Sequence, residues 1–96
     1  MTVISNKKRN LEIPVFNSVD NVSYPVGTST TYYCTTDLAH VSYVLVDDGG
    51  SGLNINYADG KLGGCSGAPQ GTFALKIRAG SVFGISDIFT LTVTVT

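Results

Sequence analysis

The side chains that could do chemistry in this sequence are few and widely spaced. The chain of 96 residues has one histidine, His40, and two cysteines, Cys34 and Cys65. These three could supply zinc ligands, but no two of them form the close-spaced pair that is typical of zinc motifs. Asp47 and Asp48 precede two glycines as in calcium loops, yet the alternating oxygen ligands and the terminal acid of such loops are missing. The sequence therefore predicts a surface turn at the two aspartates, no metal site and no cofactor.

A serine nucleophile is the second chemical possibility, and the chain length argues against it. Ser66 lies in a glycine-rich run, residues 64–69, which is one or two changes from the nucleophile loop of trypsin-like serine proteases. Those enzymes need two barrels, about twice this length, to hold their triad and their oxyanion donors. Only 26 positions separate His40 from Ser66. We therefore expect a protein that is not an enzyme.

The composition indicates which type of secondary structure carries these side chains. Val, Ile, Thr, Tyr and Phe account for 37 of the 96 residues, whereas the chain has a single Glu and a single Gln. The first group favours strands, and the shortage of Glu and Gln leaves little from which to build a helix surface. No apolar run approaches the roughly 20 residues that a membrane-spanning helix needs. The composition predicts one all-β domain that does not enter a membrane.

The clearest strand signals lie in the second half of the chain. Residues 88–96 alternate strictly between threonines and large apolar side chains, which predicts a strand with one buried face. Residues 72–79 repeat this pattern and should pair antiparallel with the last strand through a loop at residues 80–87. Residues 41–46 form a continuous apolar run, which predicts a central strand covered on both sides.

The earlier strand signals are weaker. Residues 28–36 are rich in strand formers and should place Tyr32 and Cys34 on one face and Tyr33 on the other. Residues 53–57 alternate again, and residues 13–16 read as an edge strand because their proline cannot donate to a ladder. About seven short strands with glycine-rich turns predict a β-sandwich.

Several short motifs occur in a fixed order in the second half of the chain, and their order is more specific than any one of them. They are Leu53-Asn54-Ile55, Asp59-Gly60-Lys61-Leu62-Gly63-Gly64, Ala68-Pro69, Gly71-Thr72-Phe73-Ala74-Leu75-Lys76-Ile77 and the closing Phe89-Thr90-Leu91-Thr92-Val93. In this order the stretch 53–95 resembles the bacterial Ig-like, cadherin-like module, although residues 65–67 depart from the pattern of that family. The resemblance implies an Ig-like antiparallel β-sandwich of about seven strands over residues 13–96. It implies a binding or structural role and no chemistry.

The single copy of the module and the sequence of its N-terminus indicate a more specific role. Modules of this family usually stand in series within long secreted surface proteins, whereas this chain has one copy. Its first apolar stretch is very short and precedes the charges, so it does not fit a secretory signal. We expect a complete product that is made in a host cytoplasm. Stand-alone domains of this kind resemble the auxiliary proteins that decorate the capsids, tails or fibres of tailed bacteriophages, and the expected location is the virion.

Charge is distributed unevenly along the chain. Lys7, Lys8 and Arg9 give residues 1–10 a charge of +3, and the rest of the chain carries −4. We expect residues 1–12 to form an extended basic arm that contacts a partner, with a solvated terminus as the alternative. Nucleic acid is not expected as the main partner, because an acidic body repels phosphates and no aromatic platform accompanies the arm.

The cysteines allow two interpretations. An Ig-like sandwich can bring Cys34 and Cys65 together across its sheets, where a disulfide would stabilise the fold by about 3–4 kcal/mol. A cytoplasmic origin favours reduced, buried thiols instead. We predict free cysteines, with the disulfide as the disfavoured alternative.

The leading interpretation is a structural virion protein of a tailed bacteriophage. Its partners would be the major capsid protein or another virion protein, together with neighbouring copies of itself. The alternative is a carbohydrate-binding or cell-surface-binding adhesion module. In that case exposed tyrosines would stack on sugars or anchor an interface, and we expect Tyr32 and Tyr43 to lie in the core instead. The candidates are Tyr24, Tyr32, Tyr33, Tyr43 and Tyr57.

Overall fold

The computed structural model describes residues 13–96, and the predicted basic arm lies outside the described residues. The described part contains seven strands and a single turn of 3-10 helix, η1 (Cys65–Gly67). The strands are β1 (Asn21–Tyr24), β2 (Ser42–Asp47), β3 (Asn54–Ile55), β4 (Leu62–Gly63), β5 (Gly71–Ser81), β6 (Gly84–Ile85) and β7 (Phe89–Val95). None of the helices in this part of the chain has the length and hydropathy to cross a membrane.

The larger sheet has the strand order β1-β7-β5-β2, and β6 pairs with the end of β5. The antiparallel pairing of β5 with β7 was predicted from their alternating sequences and is confirmed over seven positions, from Gly71 opposite Val95 to Ile77 opposite Phe89. The loop predicted at residues 80–87 is shorter than expected, because β5 continues to Ser81 and pairs with β6.

The pairing of β1 with β7 is parallel, so the prediction of a purely antiparallel sandwich is wrong at this edge. Asn21 lies opposite Thr92 and Tyr24 opposite Val95. Backbone bonds from the Thr92 N–H to Asp20 O (2.9 Å) and from the Thr96 N–H to Tyr24 O (2.9 Å) hold the pair. Because β1 and β7 stand at opposite ends of the chain, no hairpin fixes their relative direction.

The second layer is built from short strands and single bridges. β3 pairs with β4, the Leu62 N–H donates to Tyr32 O (2.9 Å), and the Cys34 N–H donates to Gly60 O (2.8 Å). The segment around residue 16 is attached to this layer by an isolated antiparallel bridge between Phe16 and Thr36. The strand predicted at residues 28–36 therefore occurs as isolated bridges, with Tyr32 and Cys34 buried and Tyr33 exposed as its alternation predicted.

The two layers enclose one hydrophobic core. From the larger sheet it takes Leu75, Ile77, Leu91 and Val93, all of which are 0% exposed. From the second layer it takes Tyr32, Cys34, Ile55 and Leu62. The all-β sandwich of about seven strands that the sequence predicted is therefore the fold of this chain.

The position of β2 contradicts one prediction. The apolar run at residues 41–46 was expected to form a central strand, but β2 stands at the end of the larger sheet. Tyr43 points into the core, while Val44 and Val46 are 56% and 51% exposed on the outer face. The outer face of β2 therefore carries apolar side chains that remain exposed within residues 13–96.

Candidate functional site

The residues that could have formed a hydrolytic site are not brought together. His40 lies at the surface with a positive φ of 59° and lines a depression beside Val82 and Phe83. Ser66 lines a different depression, together with Thr31 and Lys61. Within residues 13–96 no group of three or more His, Cys, Asp or Glu side chains could hold a metal ion.

The two aspartates predicted to form a turn do so. Asp47 Oδ1 accepts the Gly49 N–H at 2.8 Å. Asp48 accepts the Gly50 N–H at 2.9 Å through Oδ1 and the Gly52 N–H at 3.2 Å through Oδ2. Both carboxylates are therefore occupied in holding the loop that follows β2.

Cys34 and Cys65 are both buried in the core as free thiols. Burial raises the pKa of the Cys34 thiol to about 11, since the low-dielectric interior disfavours the thiolate. Cys65 contributes its carbonyl oxygen, which accepts a hydrogen bond from the Tyr24 hydroxyl at 2.9 Å. The position of the two cysteines is that of small hydrophobic core residues.

The five tyrosines divide into a core set and a surface set. Tyr24, Tyr32 and Tyr43 are buried, which confirms the expectation for Tyr32 and Tyr43. Burial raises the pKa of all three, that of Tyr32 to about 12. Tyr33 and Tyr57 are 42% and 66% exposed and remain able to contact a ligand.

The first candidate interaction surface lies on the outer face of the larger sheet, at its β2 edge. We call it the β2 surface, and it consists of Ser42, Val44, Val46, Arg78, Gly80 and Ile85. Val44 pairs with Arg78, Ser42 with Gly80, and Gly80 with Ile85. Because paired residues of neighbouring strands point to the same side, these side chains share one face. They line a shallow apolar depression of about 320 Å³.

Two features make the β2 surface accessible to a partner. Gly80 has no side chain, and a Cβ placed there would meet only Ile85 Cγ1, at 3.9 Å, so the depression exists because this position is glycine. The far edge of β2 makes a bond from the Tyr43 N–H to Tyr57 O (2.9 Å), and no strand among residues 13–96 pairs along it. Where no backbone bond covers it, a strand edge can accept the backbone of another chain.

A second apolar depression adjoins this region at the turn between β5 and β6. Val82 is almost fully exposed at the tip of the turn, and Phe83 is exposed beside it. The Phe83 N–H donates to Ser81 Oγ at 3.1 Å, which shapes the tip. Residues 38–40 form the other wall of this depression. Sequence reasoning missed these residues because it assigned them to a loop, although their size and apolar character were a visible signal.

The second candidate surface lies on the outer face of the other layer, and we call it the polar groove. Its residues are Ser29, Thr30, Thr31, Tyr33, Asn54, Lys61, Gly63, Gly64 and Ser66. Residues 29–31, 61–64 and 66 line a depression of about 280 Å³. Tyr33 and Lys61 are partners in an isolated antiparallel bridge, and both are exposed. Asn54 lies opposite Gly63 in the pairing of β3 with β4.

The fold defines the class of the protein, which is a single all-β sandwich. The β2 surface and the polar groove are its candidate interaction surfaces. No protein-family model matches the chain, and no curated protein matches it. Among solved structures, the chain is similar to a Bacteroides fragilis NCTC 9343 protein named as an alpha-galactosidase/melibiase, with a TM-score of 0.73 and 17% identity. The match covers 92% of this chain and 19% of that protein. At this identity the likeness shows a shared fold alone.

Proposed function

We propose that this chain is a non-enzymatic structural protein of a tailed bacteriophage, a decoration or auxiliary protein that binds the capsid or another particle surface. The observation that carries the proposal is the β2 surface, where Val44, Val46 and Ile85 are exposed around the depression at Gly80. The resemblance of the sequence to stand-alone Ig-like modules supports the choice of a virus particle as the target.

The β2 surface has the properties of a protein-docking site. Isolated exposed apolar residues are ordinary, but a contiguous set beside an unpaired strand edge is typical of an interface. Burying a valine that is now half exposed stabilises a complex by on the order of 1 kcal/mol. Val44, Val46 and Ile85 would thus supply a few kcal/mol between them before any backbone bond to β2 forms.

The surface also constrains its partner. Arg78 is exposed beside Val44 at the centre of the apolar set, so the fitting partner presents an apolar strand or ridge with an acidic group opposite Arg78. The basic arm with Lys7, Lys8 and Arg9 would reach a neighbouring subunit or a groove of the shell. That role rests on the charge separation in the sequence.

A particle-binding experiment tests the proposal. Purified chain is mixed with phage particles that lack it, the particles are sedimented through a density gradient, and the bound copies are counted by quantitative mass spectrometry. We expect Val44→Asp to lower occupancy at least tenfold, because it places a charge in the apolar contact. Thr90→Asp, on the exposed outer face of β7, is the matched control and should bind like the unchanged chain.

Two results would contradict the proposal. One is the absence of this chain from particles purified from the host that makes it. The other is equal occupancy for Val44→Asp and Thr90→Asp when both variants show the thermal unfolding midpoint of the unchanged chain. A further variant, Gly80→Val, fills the depression without a charge and should also reduce occupancy.

A further inference from the structure

We propose that the polar groove is a binding site for a pyranose oligosaccharide, with one sugar ring stacked on Tyr33 and the next in the depression beside Lys61 and Ser66. This site lies on the sheet opposite the β2 surface, so both could be occupied at once. It does not depend on the identity of the protein partner.

The first argument is the placement of Tyr33. The ring is 42% exposed, and its bridge partner Lys61 lines the depression. Tyr24, Tyr32 and Tyr43 are buried. Lys61 projects from the same face of the layer as its bridge partner Tyr33. An exposed aromatic face flanked by hydrogen-bond donors suits a sugar, whose ring has an apolar C–H face and a polar rim.

The second argument is the floor of the groove. Gly63 and Gly64 have no side chains, and a Cβ on Gly63 would collide with Asn54 Oδ1. The Asn54 amide therefore reaches across the position that a side chain at residue 63 would occupy. The Asn54 amide thus covers this part of β4 and forms part of the groove floor, where it can hydrogen-bond a sugar hydroxyl.

The third argument is unused hydrogen-bonding capacity. Among residues 13–96, the structure gives no hydrogen-bond partner to the side chains of Ser29, Thr30, Thr31, Asn54, Lys61 and Ser66. In contrast, neighbouring polar side chains on the same layer are paired, as in the bond from Thr35 Oγ1 to Asn17 Oδ1 at 2.6 Å. The groove thus offers hydroxyl, amide and ammonium groups together, and sugar hydroxyls can both donate to and accept from such groups.

The charge of the groove favours neutral or acidic sugars. Lys61 is the only charged side chain among the groove residues, and its backbone N–H is bonded to the Asp59 carboxylate at 3.0 Å. A carboxylate-bearing sugar would gain from the Lys61 ammonium, whereas an amino sugar with a free ammonium would be repelled. Shallow grooves of this kind leave much of the ligand in solvent, so we expect modest affinity.

The test begins with the full chain on an array of neutral, uronic-acid and amino-sugar oligosaccharides. The strongest neutral or acidic ligand is then titrated into isotope-labelled chain, and backbone amide shifts are followed by NMR. We expect shift changes at residues 29–33 and 61–66 and none at the β2 surface. No binding on the array, or shift changes confined to other residues, would overturn the proposal.

Variants separate recognition from folding. Tyr33→Ala should weaken binding at least tenfold and Asn54→Ala severalfold, whereas Tyr33→Phe keeps the ring and should retain most of the affinity. Tyr57→Ala removes another exposed tyrosine outside the groove and serves as the matched control. Equal affinities for Tyr33→Ala and Tyr57→Ala would rule out the stacking role. Tyr33→Ala should leave particle occupancy unchanged, which keeps this test distinct from that of the β2 surface.

Discussion

The hydroxyl of Tyr24 donates a buried hydrogen bond to the carbonyl oxygen of Cys65, at 2.9 Å. Tyr24 ends β1, at one edge of the larger sheet, and Cys65 begins η1, in the connection between β4 and β5. The bond therefore links the parallel edge strand to the 3-10 turn η1. Two elements with no ladder between them are joined at this point.

Removing that bond should destabilise the fold by a predictable amount. Tyr24→Phe keeps the ring in the core but deletes the donor, and Cys65 O is left with the longer bond from the Ala68 N–H at 3.3 Å. We expect a loss of about 1 kcal/mol in the free energy of unfolding, measured by urea denaturation. Tyr57→Phe, at an exposed tyrosine, is the control. An equal stability for the two variants would show that the bond contributes nothing.

A second prediction concerns the close approach of Gly60 to Cys34. Gly60 has a φ of +75°, and a Cβ there would lie 2.5 Å from Cys34 O and 3.2 Å from the ring of Tyr43. Gly60→Ala adds this collision to the left-handed strain of roughly 1–2 kcal/mol, so we expect a total loss above about 3 kcal/mol. Gly50→Ala has a similar φ of +84° but open space around it.

The comparison between these two glycines isolates the packing contribution. Thermal unfolding of both variants is followed by circular dichroism under the same conditions. Gly50→Ala should show the cost of strain alone, and the difference between the variants is the cost of the collision. Equal unfolding midpoints would mean that the backbone at residues 34 and 60 moves apart without penalty.

The sequence predicted the fold most reliably where one face of a strand is buried. The alternation in residues 88–96 and 72–79 placed Leu75, Ile77, Leu91 and Val93 in the core, and all four are fully buried. The same reasoning placed Tyr32 inside and Tyr33 outside. Period-2 patterning encodes burial directly, which is why these predictions succeed without knowledge of topology.

The candidate surfaces could not be predicted in the same way, because they depend on register and strand order. The apolar run of β2 looked like a strand buried on both faces, and only the structure shows that the outer face is uncovered at Val44 and Val46. The polar groove needs Asn54 opposite Gly63 and Tyr33 opposite Lys61. These neighbours are set by the register in which the strands pair, and that register cannot be read from a single sequence.

The burial of both thiols predicts slow labelling in the native state. Cys34 is 1% exposed and Cys65 is 4% exposed, so a reagent reaches them only after the core opens. We expect fewer than one thiol per chain to react promptly with Ellman's reagent at pH 8, and two to react in 6 M guanidinium chloride. Two fast-reacting thiols in the native protein would contradict the buried positions. Fewer than two in denaturant without reductant would reveal the disfavoured disulfide.

Alkaline pH should weaken the fold through the same buried groups. The folded state raises the pKa of Cys34 from its ordinary 9.0 to about 11 and that of Tyr32 from 10.0 to about 12, in both cases chiefly because burial disfavours the anion. Between the two values the unfolded chain has released a proton that the folded chain keeps. The free energy of unfolding is therefore unaffected well below pH 9, begins to fall as the pH approaches the ordinary thiol pKa of 9.0, and continues to fall up to about 12.

Urea midpoints at pH 7, 9, 10 and 11 measure this dependence. We expect little change from pH 7 to 9 and a steady decrease above it. Cys34→Ala should lose part of the decrease between pH 9 and 10, where the thiol of the unfolded chain titrates ahead of its tyrosines. The slope, and not the absolute midpoint, is compared, since the variant also removes a core sulfur. A midpoint that stays constant up to pH 11 would mean that these groups ionise as readily in the folded chain as in the unfolded one.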